Sequence, residues 1–282
     1  MKKQFKIKYL MWIPILLLVA SFGVLIHNKI TYGEFILKDI DLKGGTLITI
    51  ETKEPVDTAN VEKVLEEKYG SAIVSGLKSL TGYGATVQVS SEVDVKDVIK
   101  TLKDLGIKIT GYSVETIGPA LGEAFWNQVV EVLVGGFIFM GIMVFLIYRS
   151  PVPSFAIVIT SISNIITTIA LTNLIGMKMS FPGFAALLMV LSYTVDTNIV
   201  LTTKSLRSGK KNFMKTYKQA FNTALKIILA VIVSMSVMFL IPTSRIITDI
   251  ATILVVGLTN DVVYTWILNA SILEMYVERE KK

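Results

Sequence analysis

Apolar residues are unevenly distributed along this chain. They collect before His27 and after Asn127, and the stretch between them mixes polar and apolar positions as a water-soluble domain does. A transmembrane helix needs about 20 predominantly apolar residues. Six segments qualify, at 9–27, 127–148, 152–175, 182–203, 220–241 and 249–273. Lys2, Lys3, Lys6 and Lys8 precede the first, as in a signal peptide. Its apolar run nevertheless ends Gly23-Val24-Leu25-Ile26-His27 without a small-x-small cleavage pattern, so it reads as a retained anchor. Gly135, Gly136 and Gly141 read as points of close helix packing in the second segment.

The intervening residues carry the periods of a mixed α+β domain. Thr46 to Glu51 alternates as a strand, and Asp57 to Tyr69 has Val61, Val64 and Leu65 at helical spacing. Ala72 to Ser79 and Ala85 to Ser90 read as strands joined by a turn at Thr81-Gly82-Tyr83-Gly84. Asp94 to Leu105 is a second helix, with Val95, Val98, Ile99 and Leu102 on one face and Gly106 as its stop, and Lys108 to Glu115 is a last strand. The order βαββαβ predicts a ferredoxin-like domain, a fold that specifies no function by itself. The expected organisation is therefore an N-terminal arm and first helix over 1–27, a ferredoxin-like domain over 28–122, and a five-helix transmembrane domain over 123–282.

Composition agrees with a polytopic α-helical membrane protein of six transmembrane helices: 52% of the 282 residues are apolar, and the mean hydropathy is +0.62. The net charge of +6 does not point to nucleic acid, because the basic residues cluster beside the apolar segments and no aromatic-interleaved basic surface appears. They set orientation instead. Arg149, the 203–219 loop with Lys204, Arg207, Lys210, Lys211, Lys215 and Lys218, and the tail with Arg279, Lys281 and Lys282 fall on the same side as the N-terminal arm. Short loops rich in Lys and Arg stay cytoplasmic, so both termini are expected in the cytoplasm and 28–122 outside. With no Cys and a single His, the chain lacks the ligands of the usual zinc sites. Gly44-Gly45-Thr46 precedes a strand instead of opening a helix, and no phosphate-binding loop occurs. No metal, cofactor or catalytic residue is expected.

Ionisable groups inside hydrocarbon cost at least about 2.5 to 3.5 kcal/mol each on insertion scales, so three need an explanation: Asp196, Lys226 and Asp261. Asp196 lies about seven residues inside the fourth segment, roughly 10 Å deep at about 1.5 Å per residue. Lys226 enters the fifth segment to a similar depth, close enough in height to pair with it, although its long stem can also snorkel to the interface. Asp261 and Asn260 lie near the middle of the sixth. All three ionisable groups are candidates for proton or ion coupling. Interhelical hydrogen bonding is the alternative for the aspartates. Thr197, Asn198 and Asn260 are candidate polar contacts between helices, and a single six-helix half leaves the faces bearing Asp196, Asn198 and Asp261 with nothing in lipid to satisfy them.

Three motifs in sequence carry a resemblance. Asp41-Leu42-Lys43-Gly44-Gly45-Thr46 leads into the soluble domain, Ile117-Gly118-Pro119-Ala120-Leu121-Gly122 follows it, and Asp196-Thr197 lies in the fourth span. The chain resembles the SecF family over nearly its whole length, and archaeal members more closely than bacterial ones. The resemblance implies a six-span half of a resistance-nodulation-division type pair in the cell membrane. Its partners would be SecD, the Sec channel and exported polypeptides, which the external domains help pull or hold, with membrane lipid around the spans. It also implies a proton-coupling role for Asp196 by position. Two departures stand out. Asn198-Ile199-Val200-Leu201-Thr202-Thr203-Lys204 replaces a hydrophobic run with an Asp-Arg pair, and Asn222 or Lys226 stands near the place of an Arg in the fifth span.

Two rival functions share some of these features. A proton-coupled exporter of small molecules uses similar helices but usually carries two six-span halves in one chain. An intramembrane aspartyl protease would use Asp196 and Asp261 as a pair sharing a proton, and Gly257-Leu258-Thr259-Asn260-Asp261 loosely matches its Gly-x-Gly-Asp motif. The second glycine is missing, however, and no Pro-Ala-Leu segment follows.

Overall fold

The computed structural model describes residues 7–70, 72–79, 82–238 and 245–279. They form two compact units. One spans Lys38–Val130, and the other combines the residues up to Leu37 with those from Glu131 onward.

The first of these units is built on an antiparallel sheet of β1 (Gly45–Thr52), β2 (Ala72–Ser79), β3 (Gly82–Val89) and β4 (Ile109–Ile117). Their spatial order is β2-β3-β1-β4, with Ile48 opposite Val87 on one side and Val114 on the other. Alternation sends Ile48 and Ile50 to one face, where they pack with Leu65 of α3 (Thr58–Tyr69) and with Val98 and Leu102 of α4 (Val95–Asp104). Each helix starts at an aspartate. Asp57 accepts from Asn60 N at 3.2 Å and Asp94 accepts from Lys96 N at 2.9 Å, which supplies orphan donors of the first turn. Gly70, at φ 79°, ends α3 in the left-handed region.

On the opposite face the short helix α2 (Ile40–Lys43) covers the start of β1, so Leu47 is buried too. Asp39 caps α2 by accepting from Ile40 N at 2.8 Å, and it also accepts from Gln88 Nε2 of β3.

Gly82 and Gly84, expected in a turn, belong to β3, and residues 80–81 of the connection lie outside the described residues. Gly84 sits opposite Glu51, where a Cβ would run into the Ile50 carbonyl oxygen. A glycine inside a strand marks such a close backbone approach. The two glycine motifs that flank this domain in sequence meet in space. Gly45 pairs with Ile117, a Cβ on Gly44 would lie 2.6 Å from Pro119 Cα, and one on Gly122 would lie 2.8 Å from the Lys43 carbonyl carbon. Gly44 also holds φ 80°, which favours glycine. Thr46 and Thr116 then join across the pair, hydroxyl to hydroxyl, at 3.1 Å.

Among the described residues six helical stretches are long and apolar enough to cross a bilayer: Ile7–Tyr32, Pro119–Tyr148, Pro151–Leu174, Phe181–Ser208, Asn212–Val237 and Ile246–Arg279. They contain α1 (Trp12–Tyr32), α5 (Pro119–Tyr148), α6 (Pro151–Leu174), α7 (Phe181–Val237), and then α8 (Arg245–Val263), a π-helical turn (Tyr264–Asn269) and α9 (Ala270–Arg279). The first, second and sixth spans run past their expected ends, α1 stopping at Gly33 with φ 77°.

The larger difference concerns the expected loop 203–219, which is helical, so that α7 holds both the fourth and fifth spans. That stretch has one glycine and no proline, and Lys, Arg, Leu and Met are good helix formers. The path reverses within α7. Asn198 accepts from Asn269 Nδ2 at 2.6 Å and Tyr217 donates to the Trp266 carbonyl at 2.9 Å. A straight helix would hold residues 198 and 217 about 28 Å apart at about 1.5 Å per residue.

α6 is the hub. It packs against α1, α7, α8, the π-helical turn and α9, and its buried residues include Thr160, Asn164, Thr168 and Thr172. At one end of it Asn173 Oδ1 accepts from Leu37 N at 3.2 Å and from Asn28 Nδ2 at 3.4 Å. At the far end of the last span, Lys8 N donates to Glu274 Oε2 at 2.9 Å, while its Nζ meets Glu278 at 2.8 Å.

Candidate functional site

Three polar stripes with a spacing of four converge inside the membrane unit: Thr160, Asn164 and Thr168 on α6, Thr194, Asn198 and Thr202 on α7, and Asp261, Thr265 and Asn269 across α8 and the π-helical turn. Residues four apart share a helix face, so each stripe points one way, and here all three point inward. Apolar packing sets how close they come. Gly257, one turn before Asp261, lies against Val190, one turn before Thr194.

Asp261 is fully buried at the centre. Its Oδ1 accepts from Thr265 Oγ1 at 2.7 Å, its Oδ2 accepts from Thr197 Oγ1 at 2.9 Å, and Thr194 reaches the same carboxyl. Behind Thr194 stands Asn164, whose Nδ2 donates to the threonine hydroxyl at 2.7 Å. Asn260 Nδ2 donates to Thr168 Oγ1 at 3.4 Å. Asn198 lies one turn further along α7. It donates to the Thr194 carbonyl at 2.8 Å and accepts from Thr160 Oγ1 at 3.4 Å as well as from Asn269. The π-helical turn, a form concentrated at functional sites, brings Tyr264 to Thr167 of α6 at 2.5 Å, and Ser21 of α1 donates to the same threonine at 3.1 Å.

Of the expected site residues, Asp261, Thr197, Asn198 and Asn260 thus belong to a buried network of side chains drawn from this one chain. The expectation that Asn198 and Asp261 find no partner within the half-unit is corrected by these bonds. Asp196 and Lys226 stand outside the network. Both are exposed, and no ion pair joins them among the described residues. Adjacent positions of a helix differ by about 100°, so Asp196 looks away while Asn198, two residues on, looks in. Asp196 borders a shallow groove between α5 and the fourth span, lined by Met140, Met143, Ile147, Leu191 and Val195. The two aspartates do not form a carboxyl pair: one is enclosed by threonines and the other is exposed. Asn164, Thr168, Thr194, Thr265 and Asn269 escaped sequence reading, although their spacing of four was the available signal.

Six helices long and apolar enough to cross a bilayer, with one small antiparallel sheet between the first and the second, are those of a multi-pass membrane protein. The profile described as "Protein export membrane protein SecD/SecF, C-terminal" matches residues 97–279. The chain belongs to the SecD/SecF family of protein-export membrane proteins. It is 34% identical over 269 residues to the protein-export membrane protein SecF of Pyrococcus furiosus, covering 95% of this chain and 90% of the relative. It is 36% identical over 274 residues to that of Methanocaldococcus jannaschii, covering 94% of each. The fold is similar to that of SecDF from Thermus thermophilus, a translocon-associated membrane protein, with a TM-score of 0.79 at 18% identity. That likeness covers 97% of this chain and 38% of the other.

Proposed function

We propose that this chain is an accessory subunit of the Sec protein translocase, acting with SecD beside the Sec channel to promote export or release of translocating polypeptides. What carries the reading is the match, along nearly the whole chain, to archaeal proteins named protein-export membrane protein SecF. The similar SecDF structure is longer than this chain, which spans 38% of it, and a SecD partner accounts for the remainder.

The soluble unit is a ferredoxin-like domain on the outer side of the membrane, both termini being cytoplasmic. Its antiparallel order β2-β3-β1-β4 with two helices on one face supports that assignment. The glycine contacts that bind Lys43–Gly44 to Pro119 and Gly122 tie the domain's entry to its exit.

In this reading SecD covers the apolar groove beside Asp196, where an exposed carboxylate would otherwise face lipid. Asp196 is the coupling group, alternating its proton between the two sides, and Lys226 is too exposed to be its fixed counter-ion. Asp196→Asn keeps size and hydrogen bonding but removes the titrating proton. Export should fall in membranes carrying a proton gradient, at matched complex levels, while assembly with SecD survives. Equal export by Asp196→Asn and wild type, with and without the gradient, would remove Asp196 from the coupling account. Failure of SecD to co-purify with the chain would remove the partnership.

A further inference from the structure

Asp261 is completely buried, and no lysine, arginine or histidine forms an ion pair with it among the described residues. The elements packed on α8 are α6, α7 and the π-helical turn. α6 carries no acidic or basic residue, Asp196 and Lys204 of α7 are exposed, and the titratable group contributed by the turn, Tyr264, is bonded to Thr167. An ionised carboxylate without a counter-charge in such surroundings is among the costliest arrangements a membrane interior can hold.

Thr197 meets the same carboxyl. Its hydroxyl oxygen lies 2.9 Å from Asp261 Oδ2, 3.1 Å from the Tyr193 carbonyl and 3.0 Å from the Thr194 carbonyl. A threonine hydroxyl has one proton to donate, yet three acceptors surround it. The two carbonyls lie within α7 and already serve helix N–H groups, so this hydroxyl has an acceptor at hand whether or not the carboxyl carries a proton. Burial without a counter-charge favours the protonated form. Asp261 Oδ2–H then donates to a lone pair of Thr197 Oγ1, and the Thr197 proton goes to a main-chain carbonyl. Thr265 and Thr194 serve the remaining acceptor positions of the carboxyl.

We propose that Asp261 is a second proton-binding site of this chain, internal to the six-span half and separate from the outward-facing Asp196, with Thr197 as its switch. When the carboxyl releases its proton to water, the Thr197 hydroxyl turns from the carbonyl to the carboxylate. The anion is then capped by three hydroxyls, those of Thr194, Thr197 and Thr265. Polar atoms that could hold water also lie buried in the membrane unit. Trp266 Nε1, Asn269 Oδ1, Ser161 Oγ and Ser205 Oγ are buried without a partner among the described residues, and buried polar atoms of this kind are met by ordered water. This inference stands independently of the export reading.

The test is infrared spectroscopy of the full chain in lipid nanodiscs through a pH titration, with no export measured. A protonated-carboxyl C=O band that shifts in D2O is expected at neutral pH. It should be lost in Asp261→Asn and retained in Asp196→Asn, and Thr197→Val should move its titration midpoint. Carbon-13 aspartate labelling of the wild-type chain gives the same readout by magnetic resonance if Asp261→Asn fails to fold. A band unaffected by Asp261→Asn, no protonated aspartate at neutral pH, or a band abolished by sodium at constant pH would overturn the proposal, the last by making the site one for a metal cation.

Discussion

Gly257→Ala adds one methyl group at the seam between α7 and α8, and its effect follows from the packing there. The new carbon would lie 2.5 Å from Val190 Cγ2 and 2.7 Å from Cγ1. Carbon pairs settle at about 3.5 to 4.0 Å, so the overlap is about 1 Å. Val190 is fully buried, and a β-branched residue in a helix is held to one dominant rotamer, which leaves it no room to turn aside. The helices must part, at an overpacking cost of about 1 to 3 kcal/mol. On helix propensity alone the same change would stabilise by about 1 kcal/mol, so the sign of the result discriminates. One turn on, parting also stretches the 2.9 Å contact between Thr197 and Asp261.

Val190→Ala removes two carbons from a close-packed seam and should cost about 1 kcal/mol in lost van der Waals contacts, since lipid supplies no hydrophobic drive between helices. In the double variant the new methyl fills the space vacated, so the two penalties should fall short of additivity by about 1 kcal/mol or more. Thermal unfolding of wild type, both single variants and the double variant in the same nanodiscs measures this. If Gly257→Ala melts at or above wild type, or the two penalties simply add, the close approach at this seam is wrong.

The soluble unit expressed as residues 38–123 should fold alone. Leu65→Ala, which empties a fully buried position, should then lower its stability by about 2 to 5 kcal/mol in urea unfolding; a random-coil circular dichroism spectrum of the parent fragment would contradict the idea. The chain has no cysteine, so single cysteines report topology cleanly. Position 92 should react with an impermeant thiol reagent in intact cells and position 207 should not, and the reverse pattern would invert the proposed orientation.

Much of the architecture was legible because it depends on composition over long windows. The six spans announce themselves by apolar length, and α3 and α4 by an aspartate cap followed by an apolar stripe, at Asp57 and Asp94. What failed depends on three-dimensional neighbours. Gly82 and Gly84 carry the mark of a turn, but the backbone of β1 running against Gly84 makes it a strand residue. Residues 203–219 look like a loop because they are polar, although polarity outside the bilayer is compatible with helix. At the site, sequence singles out charge, so Asp196 and Asp261 receive equal notice. Only the rotation of each helix about its axis separates one as exposed and the other as enclosed. Serine and threonine pass unremarked in apolar spans because they cost little there, and the threonines around Asp261 were missed for that reason.

The polar residues of α6 bear on how such a chain is made. A span rich in hydroxyls that entered the bilayer before α7 and α8 were synthesised would stand among lipid tails. Ser154, Thr160, Ser163, Thr168 and Thr172 each donate to the carbonyl four residues earlier in their own helix, at 2.7 to 2.9 Å. Such bonds need no neighbour. The helix therefore carries most of its own solvation while it is alone. Asn164 and Asn173 depend on segments that arrive at other times, Thr194 from later in synthesis and Leu37 from earlier. This hub thus has a pair of asparagines as its docking points, one joined to a segment earlier in the chain and the other to the fourth span that follows it.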